Sequence, residues 1–107
     1  MSRSSRPGTF EAEDFAAYRE AWAQPGALTA MLNWYRALRL PVAAPERVRV
    51  PVRVIWGDRD NFLEPGLVEA GLGACDRGEA FHLPRATHWV QHEEPKEVNR
   101  LLLGFLR

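Results

Sequence analysis

Apolar residues recur at helical spacing from Phe10 to Gln24, where Phe15, Tyr18 and Trp22 fall three and four positions apart. That interval places side chains on one helix face. Thr9 stands where a cap is needed, and Glu11, Glu13 and Asp14 give the first turn the negative charge that suits a helix N-terminus. Pro25 and Gly26 interrupt the pattern. Pro25 fits the first position of a second helix, where its missing amide hydrogen goes unused, and Leu28, Met31, Leu32, Tyr35 and Leu38 form that helix's stripe. Pro41 to Glu46 holds two prolines and two alanines and reads as an extended linker.

The period then changes. Val48, Val50, Val52, Val54, Ile55 and Trp56 predict a strand. Its nearly continuous apolar end suits a parallel strand covered on both faces. Gly57, Asp58, Asp60 and Asn61 make the loop after it. Pro65 to Cys75, with Leu67, Val68 and Leu72, predicts a helix weakened by glycines, and Asp76 to Gly78 turn the chain into a short strand, Ala80 to Leu83. Pro95 opens a last helix in which Val98, Leu101, Leu102 and Phe105 follow the i, i+3, i+4, i+7 pattern.

The order is two helices, then strand, helix, strand, helix. A βαβα unit of this kind has parallel strands and a right-handed crossover. Two parallel strands are not a complete sheet. The expected fold class is therefore α/β with an incomplete parallel sheet, whose open edge and uncovered apolar faces are available for self-association or another chain. The organisation reads as a tail without fixed structure over 1–9, a helical region over 10–40, a linker over 41–47 and an α/β portion over 48–107.

Composition narrows the function. With 107 residues the chain forms at most one modest domain, and its 14 basic and 14 acidic groups cancel. Five arginines between Arg36 and Arg53 face only Glu46, but no aromatic or base-reading groups accompany them, so no nucleic-acid partner is expected and the stretch reads as a solvated connection. Cys75 is the single cysteine, which excludes an internal disulfide and CxxC metal sites and fits a reducing cytosol. Residues 1–8 lack an apolar signal core, and no run approaches the ~18 residues of a membrane span, so no membrane partner is expected.

Candidate chemistry follows from topology. Parallel strands end at one edge, and open α/β sheets bind ligands outside that edge. Asp60 follows the first strand and His88 follows the second, so residues 28 apart in sequence meet there. A carboxylate beside an imidazole is the base half of a hydrolytic triad; turn-forming acids and an ordinary polar histidine are the plain alternative. His88 and His92 stand i, i+4, but Trp89, Val90 and Gln91 between them lack the glutamate of HExxH, so no metal is expected. Asp58 reads as loop structure, His82 as a structural strand residue, Cys75 as a small apolar filler and Trp56 as packing.

The stretches Val50-Pro-Val-Arg-Val-Ile-Trp-Gly-Asp-Arg-Asp-Asn-Phe-Leu63 and Leu83-Pro-Arg-Ala-Thr-His-Trp-Val-Gln-His-Glu-Glu-Pro95 resemble the C-terminal part of α/β-hydrolases of the epoxide hydrolase group. Pro25-Gly-Ala-Leu28 and Asn33-Trp-Tyr-Arg36 look like the end of that group's helical cap domain, which makes 10–40 a cap-domain remnant. The resemblance implies that Asp60, ending a Gly-x-x-Asp turn, is the triad acid, that His88, before a tryptophan, is the triad base, and that Tyr35 hydrogen-bonds an epoxide oxygen. It places Trp34 and Trp89 at the substrate pocket and implies a small apolar epoxide substrate with no cofactor.

One part of the mechanism has no residue here. A triad enzyme of this fold carries its nucleophile on a strand-to-helix elbow ahead of the acid and histidine, and no Gly-x-Ser-x-Gly or equivalent precedes Asp60. The expectation is a C-terminal section of a longer hydrolase, inactive alone. An elbow aspartate would form an ester that His88 and water cleave; an elbow serine would favour esterase chemistry, and an aspartate with halide-binding groups dehalogenation. The alternative from another class is a short noncatalytic interaction protein.

Overall fold

The computed structural model describes residues 3–41 and 47–107; the expected linker lies largely outside the described residues. The chain divides into two compact units, Phe10–Ala44 and Met1–Thr9 with Pro45–Arg107.

The first unit is a pair of helices, α1 (Ala12–Ala23) and α2 (Ala27–Ala37). Helix α1 starts later than its apolar pattern suggests. Its N-cap is Glu11, not Thr9, and the Glu11 amide donates to Asp14 Oδ2 at 2.8 Å, closing the first turn with an acidic side chain. Tyr18 stacks on Trp22 with ring centroids 5.7 Å apart, and Phe10 meets Tyr18 edge-on at 6.3 Å. Helix α2 is entered through Gly26 at φ 80°, a left-handed conformation that a side chain would strain. Pro25 therefore precedes the cap instead of opening the helix. The expected stripe of α2 lies open: Leu28, Met31, Leu32, Tyr35 and Leu38 are all exposed.

The second unit is the βαβα portion. Strands β1 (Val52–Gly57) and β2 (Gly78–Leu83) run parallel in a register from Val52 opposite Gly78 to Gly57 opposite Leu83, with α3 (Gly66–Gly73) as the connection. The expected strand from Val48 is interrupted because Pro51 has no amide to donate; Val48 makes only an isolated bridge to Cys75. Helix α5 (Pro95–Phe105) starts at its proline as the sequence predicts, and a four-residue helix, α4 (Val90–Glu93), precedes it. Four residues are too few to show a hydrophobic period, which is why the sequence pattern misses α4.

The core of this unit is small: Val68 of α3, Ala86, and Val98 and Leu101 of α5. Arg53, read from sequence as part of a solvated basic stretch, points from β1 into a stack between Phe81 and Phe105, 4.8 and 4.9 Å from the ring centroids. It pairs with Glu79 at 2.5 Å and donates to the Leu101 carbonyl, fixing α5 to the sheet. Residues 3–9, expected to lack fixed structure, are held against α4: Arg6 bonds both Glu93 and Glu94, and Trp89 Nε1 donates to Ser4 Oγ at 3.0 Å. Charged contacts 87 and 88 residues apart leave no local sequence trace, so the segment reads as a tail.

Among the described residues β1 and β2 are the only strands, and no side chain of the chain's described core is both large and fully enclosed. An α/β sheet is normally covered on both faces, so this is an incomplete α/β fold. No helix among the described residues is long and apolar enough to cross a membrane.

Candidate active site

Both strands deliver their following loops to one edge. After β1 the chain turns back on itself: the Asp60 amide donates to the Gly57 carbonyl at 3.1 Å, and the Arg59 amide to the Ala86 carbonyl at 2.9 Å. The second bond ties the β1 loop to the β2 loop two residues before His88. Gly57 permits this approach, because a Cβ built there would lie 2.2 Å from the Thr87 carbonyl oxygen.

Asp60 and His88 meet, with Asp60 Oδ2 2.8 Å from His88 Nδ1. The two carboxylate oxygens of Asp60 have different partners: Oδ1 accepts the amides of Phe62 and Leu63 at 2.8 and 3.1 Å, as a turn former does, and Oδ2 faces the imidazole. The Asp60 side chain is 7% exposed against 38% for His88, so the acid is inside and the ring is within reach of a reactant. Burial pushes the Asp60 carboxyl up, but the hydrogen bond from His88, the two amides and the charge of His88 outweigh it and hold the group below the ordinary aspartate value. An ionised carboxylate only accepts, so Nδ1 carries the proton and a neutral His88 keeps its Nε2 lone pair. Among the described residues none hydrogen-bonds Nε2. Phe62 and Trp89 flank the ring edge-on at 5.0 and 5.6 Å.

Three residues that the sequence did not single out build the backbone under His88. Glu93 has a fully shielded side chain; its Oε2 accepts the Thr87 amide at 2.6 Å and its Oε1 the Thr87 hydroxyl at 2.8 Å. The Arg6 amide donates to Glu93 Oε1 at 2.7 Å, and the Arg6 guanidinium to the Glu93 carbonyl. Burial raises the Glu93 carboxyl, and the Arg6 and Thr87 hydrogen bonds with the Arg6 charge outweigh it, leaving it below the usual glutamate value. Glu93 sits in the quoted His-Trp-Val-Gln-His-Glu-Glu-Pro run, so its place was visible in the sequence while its contacts were not.

The remaining candidates separate. Asp58 is bonded to His82, Oδ1 to Nδ1 at 2.6 Å, and both are exposed; this is a second acid–imidazole pair that the sequence reading treated as unrelated loop and strand residues. His92 packs its ring against Trp89 at 6.4 Å. No group of three or more His, Cys, Asp or Glu among the described residues could hold a metal ion. Cys75 Sγ donates to the Gly71 carbonyl at 3.3 Å. Tyr35 and Trp34 belong to the helical unit, where with Ala30 and Met31 they line an open apolar depression.

No family model matches the chain. Curated relatives do: an AB hydrolase superfamily protein, YfhM, of Bacillus subtilis (strain 168) is 48% identical over 106 residues, covering 97% of this chain and 37% of its own length. Epoxide hydrolase 3 of Xenopus tropicalis is 40% identical over 102 residues, covering 91% of this chain and 26% of its own. Among solved structures, the epoxide hydrolase of Bacillus megaterium in complex with an inhibitor superposes with a TM-score of 0.78 at 31% identity, over 92% of this chain and 38% of that one. A serine hydrolase involved in carbazole degradation superposes at 0.75 with 22% identity, which speaks for the fold alone. The chain thus spans between 26% and 43% of the length of these proteins.

Parallel strands, a carboxylate and an imidazole at their common edge, and these likenesses make the chain a C-terminal segment of an α/β-hydrolase. Within that superfamily it is epoxide hydrolase-like.

Proposed function

We propose that this chain carries the water-activating half of an epoxide hydrolase site, and its oxygen-binding tyrosine, for a nucleophile that lies outside these 107 residues. The observation that supports this reading most is the 2.8 Å contact of Asp60 with His88 at the shared end of two parallel strands.

In the complete site an aspartate on the elbow attacks an epoxide carbon. The ring C–O bond breaks as Tyr35 hydrogen-bonds the leaving oxygen, which takes up a proton from solvent, and a covalent ester remains. His88 Nε2 then removes a proton from water, the hydroxide formed adds to the ester carbonyl, the alkoxide released takes the proton back from His88, and the regenerated elbow carboxyl gives its proton to solvent. Asp60 keeps the proton on Nδ1 and stabilises the imidazolium during this step. The resemblance assigns Trp34 and Trp89 to the apolar lining that a small apolar epoxide requires.

The isolated chain is expected to show no measurable hydrolysis of epoxides or esters, since an acid and a histidine without nucleophile or oxyanion hole lack the groups that form and stabilise the intermediate. Assay of the purified 107-residue protein checks this; turnover that disappears with His88→Ala would show that the chain contains its own nucleophile. Tyr35→Phe, in a protein completed by the rest of the fold, is expected to slow ester formation about 10²-fold or more, the scale of losing one positioned proton donor, while leaving hydrolysis of a preformed ester unchanged. Single-turnover kinetics separate the two steps, and an unchanged first step removes Tyr35 from the mechanism.

A further inference from the structure

His88 is aimed by backbone that is gripped on two sides. On one side the Thr87 carbonyl lies against Gly57, so closely that a Cβ there would stand 2.2 Å from it. On the other, the Thr87 amide and hydroxyl both end on the Glu93 carboxylate, at 2.6 and 2.8 Å. The Trp89 amide donates to the same hydroxyl at 3.3 Å, so the residues before and after His88 are tied to one point. Thr87 is 8% exposed, and the Glu93 side chain is fully shielded. A carboxylate so enclosed is stable only with donors and a cation around it. Arg6 provides both, through its amide at 2.7 Å and its guanidinium, which lies 3.6 Å from Glu93 Oε2 and 2.8 Å from Glu94.

We propose that Glu93 is a positioning residue for His88, acting through Thr87, and that Arg6 holds Glu93 in the orientation this requires. Glu93 touches no reactant in this arrangement. Its effect is to set the peptide that precedes His88, and so whether Nδ1 reaches Asp60. The inference rests on reading Asp60 and His88 as the water-activating pair, but its test reads the imidazole directly and needs no turnover.

The experiment is ¹⁵N NMR of the histidine rings in the 107-residue protein, with far-ultraviolet circular dichroism in parallel. The unsubstituted chain should show His88 as a single Nδ1–H tautomer with a hydrogen-bonded proton; its absence there counts against the Asp60–His88 pair itself, and the proposal falls with it. Glu93→Gln keeps the shape but presents an amide donor to the Thr87 donors, and should convert His88 to the mixed tautomers of a free imidazole. Thr87→Val, nearly isosteric, removes one of the two contacts and should shift His88 in the same direction. Thr87→Ser restores the hydroxyl and should restore the signal. Where Glu93→Gln unfolds the chain, the Thr87 pair decides alone. A His88 signal unchanged in folded Glu93→Gln, unchanged in Thr87→Val, or lost as fully in Thr87→Ser as in Thr87→Val, overturns the proposal.

Discussion

In a chimaera that joins this chain to the remainder of the Bacillus megaterium epoxide hydrolase, Asp60→Asn is expected to cut turnover about 10³- to 10⁴-fold, the scale of the equivalent change in a serine protease triad. The fold should survive, because an asparagine oxygen can still accept the Phe62 and Leu63 amides that Asp60 Oδ1 accepts. What changes is the other side of the group. The asparagine NH₂ donates where Asp60 Oδ2 accepted from His88 Nδ1, so Nδ1 must become an acceptor and the ring proton moves to Nε2. The nitrogen that should take a proton from water then has no lone pair free. His88→Ala is expected to be as severe and to differ in kind: with an aspartate nucleophile the first step still occurs, and the ester accumulates. Mass spectrometry of the quenched chimaera detects it as an added substrate mass. Turnover within tenfold of the parent chimaera in Asp60→Asn would mean that the pair has no part in activating water.

The juxtaposition behind this expectation was legible because topology alone produces it. Once the period-two run ending at Trp56 and the short run ending at Leu83 are joined through a helix, the strands are parallel and their loops share an edge. Asp60 and His88 are then neighbours whatever the details. The detail was not legible. Glu93 meets Thr87 across 6 residues and Arg6 across 87, mostly with a backbone group at one end of the bond, and no sequence period pairs positions at those separations. Arg53 was misread for another reason: its identity suggested solvent, and it is the placement of Phe81 and Phe105 on either side of it, with Glu79 and the Leu101 carbonyl as acceptors, that makes a nearly buried guanidinium favourable. Tyr35 differs again, since it lies on the apolar stripe of a helical unit, where a tyrosine reads as core or interface. Its assignment therefore rests on motif resemblance and not on spacing.

Gly57→Ala is expected to be the most damaging single methyl in the protein. The added carbon would lie 2.2 Å from the Thr87 oxygen, 2.7 Å from the Ala86 oxygen and 2.9 Å from the Ala86 carbonyl carbon. All three are backbone atoms, and no rotamer change relieves the clash, so the β2 loop must move as a body. That movement pulls the Ala86 carbonyl from the Arg59 amide and draws His88 away from Asp60. Overpacking of this kind costs about 1–3 kcal/mol and sometimes more, and with backbone on both sides the upper part of that range is expected for the 107-residue chain in urea unfolding. In the chimaera, a displacement of about 1 Å at the imidazole should lower turnover about 10²-fold. Gly71→Ala is the control. Its Cβ would meet nothing within 4 Å, and it lies inside α3, so it should stabilise the chain by about 0.5–1 kcal/mol through helix propensity. If the two substitutions had equal effects, the close approach at Gly57 would not be what holds His88 against Asp60, and the geometry would have to be maintained from the Glu93 side alone.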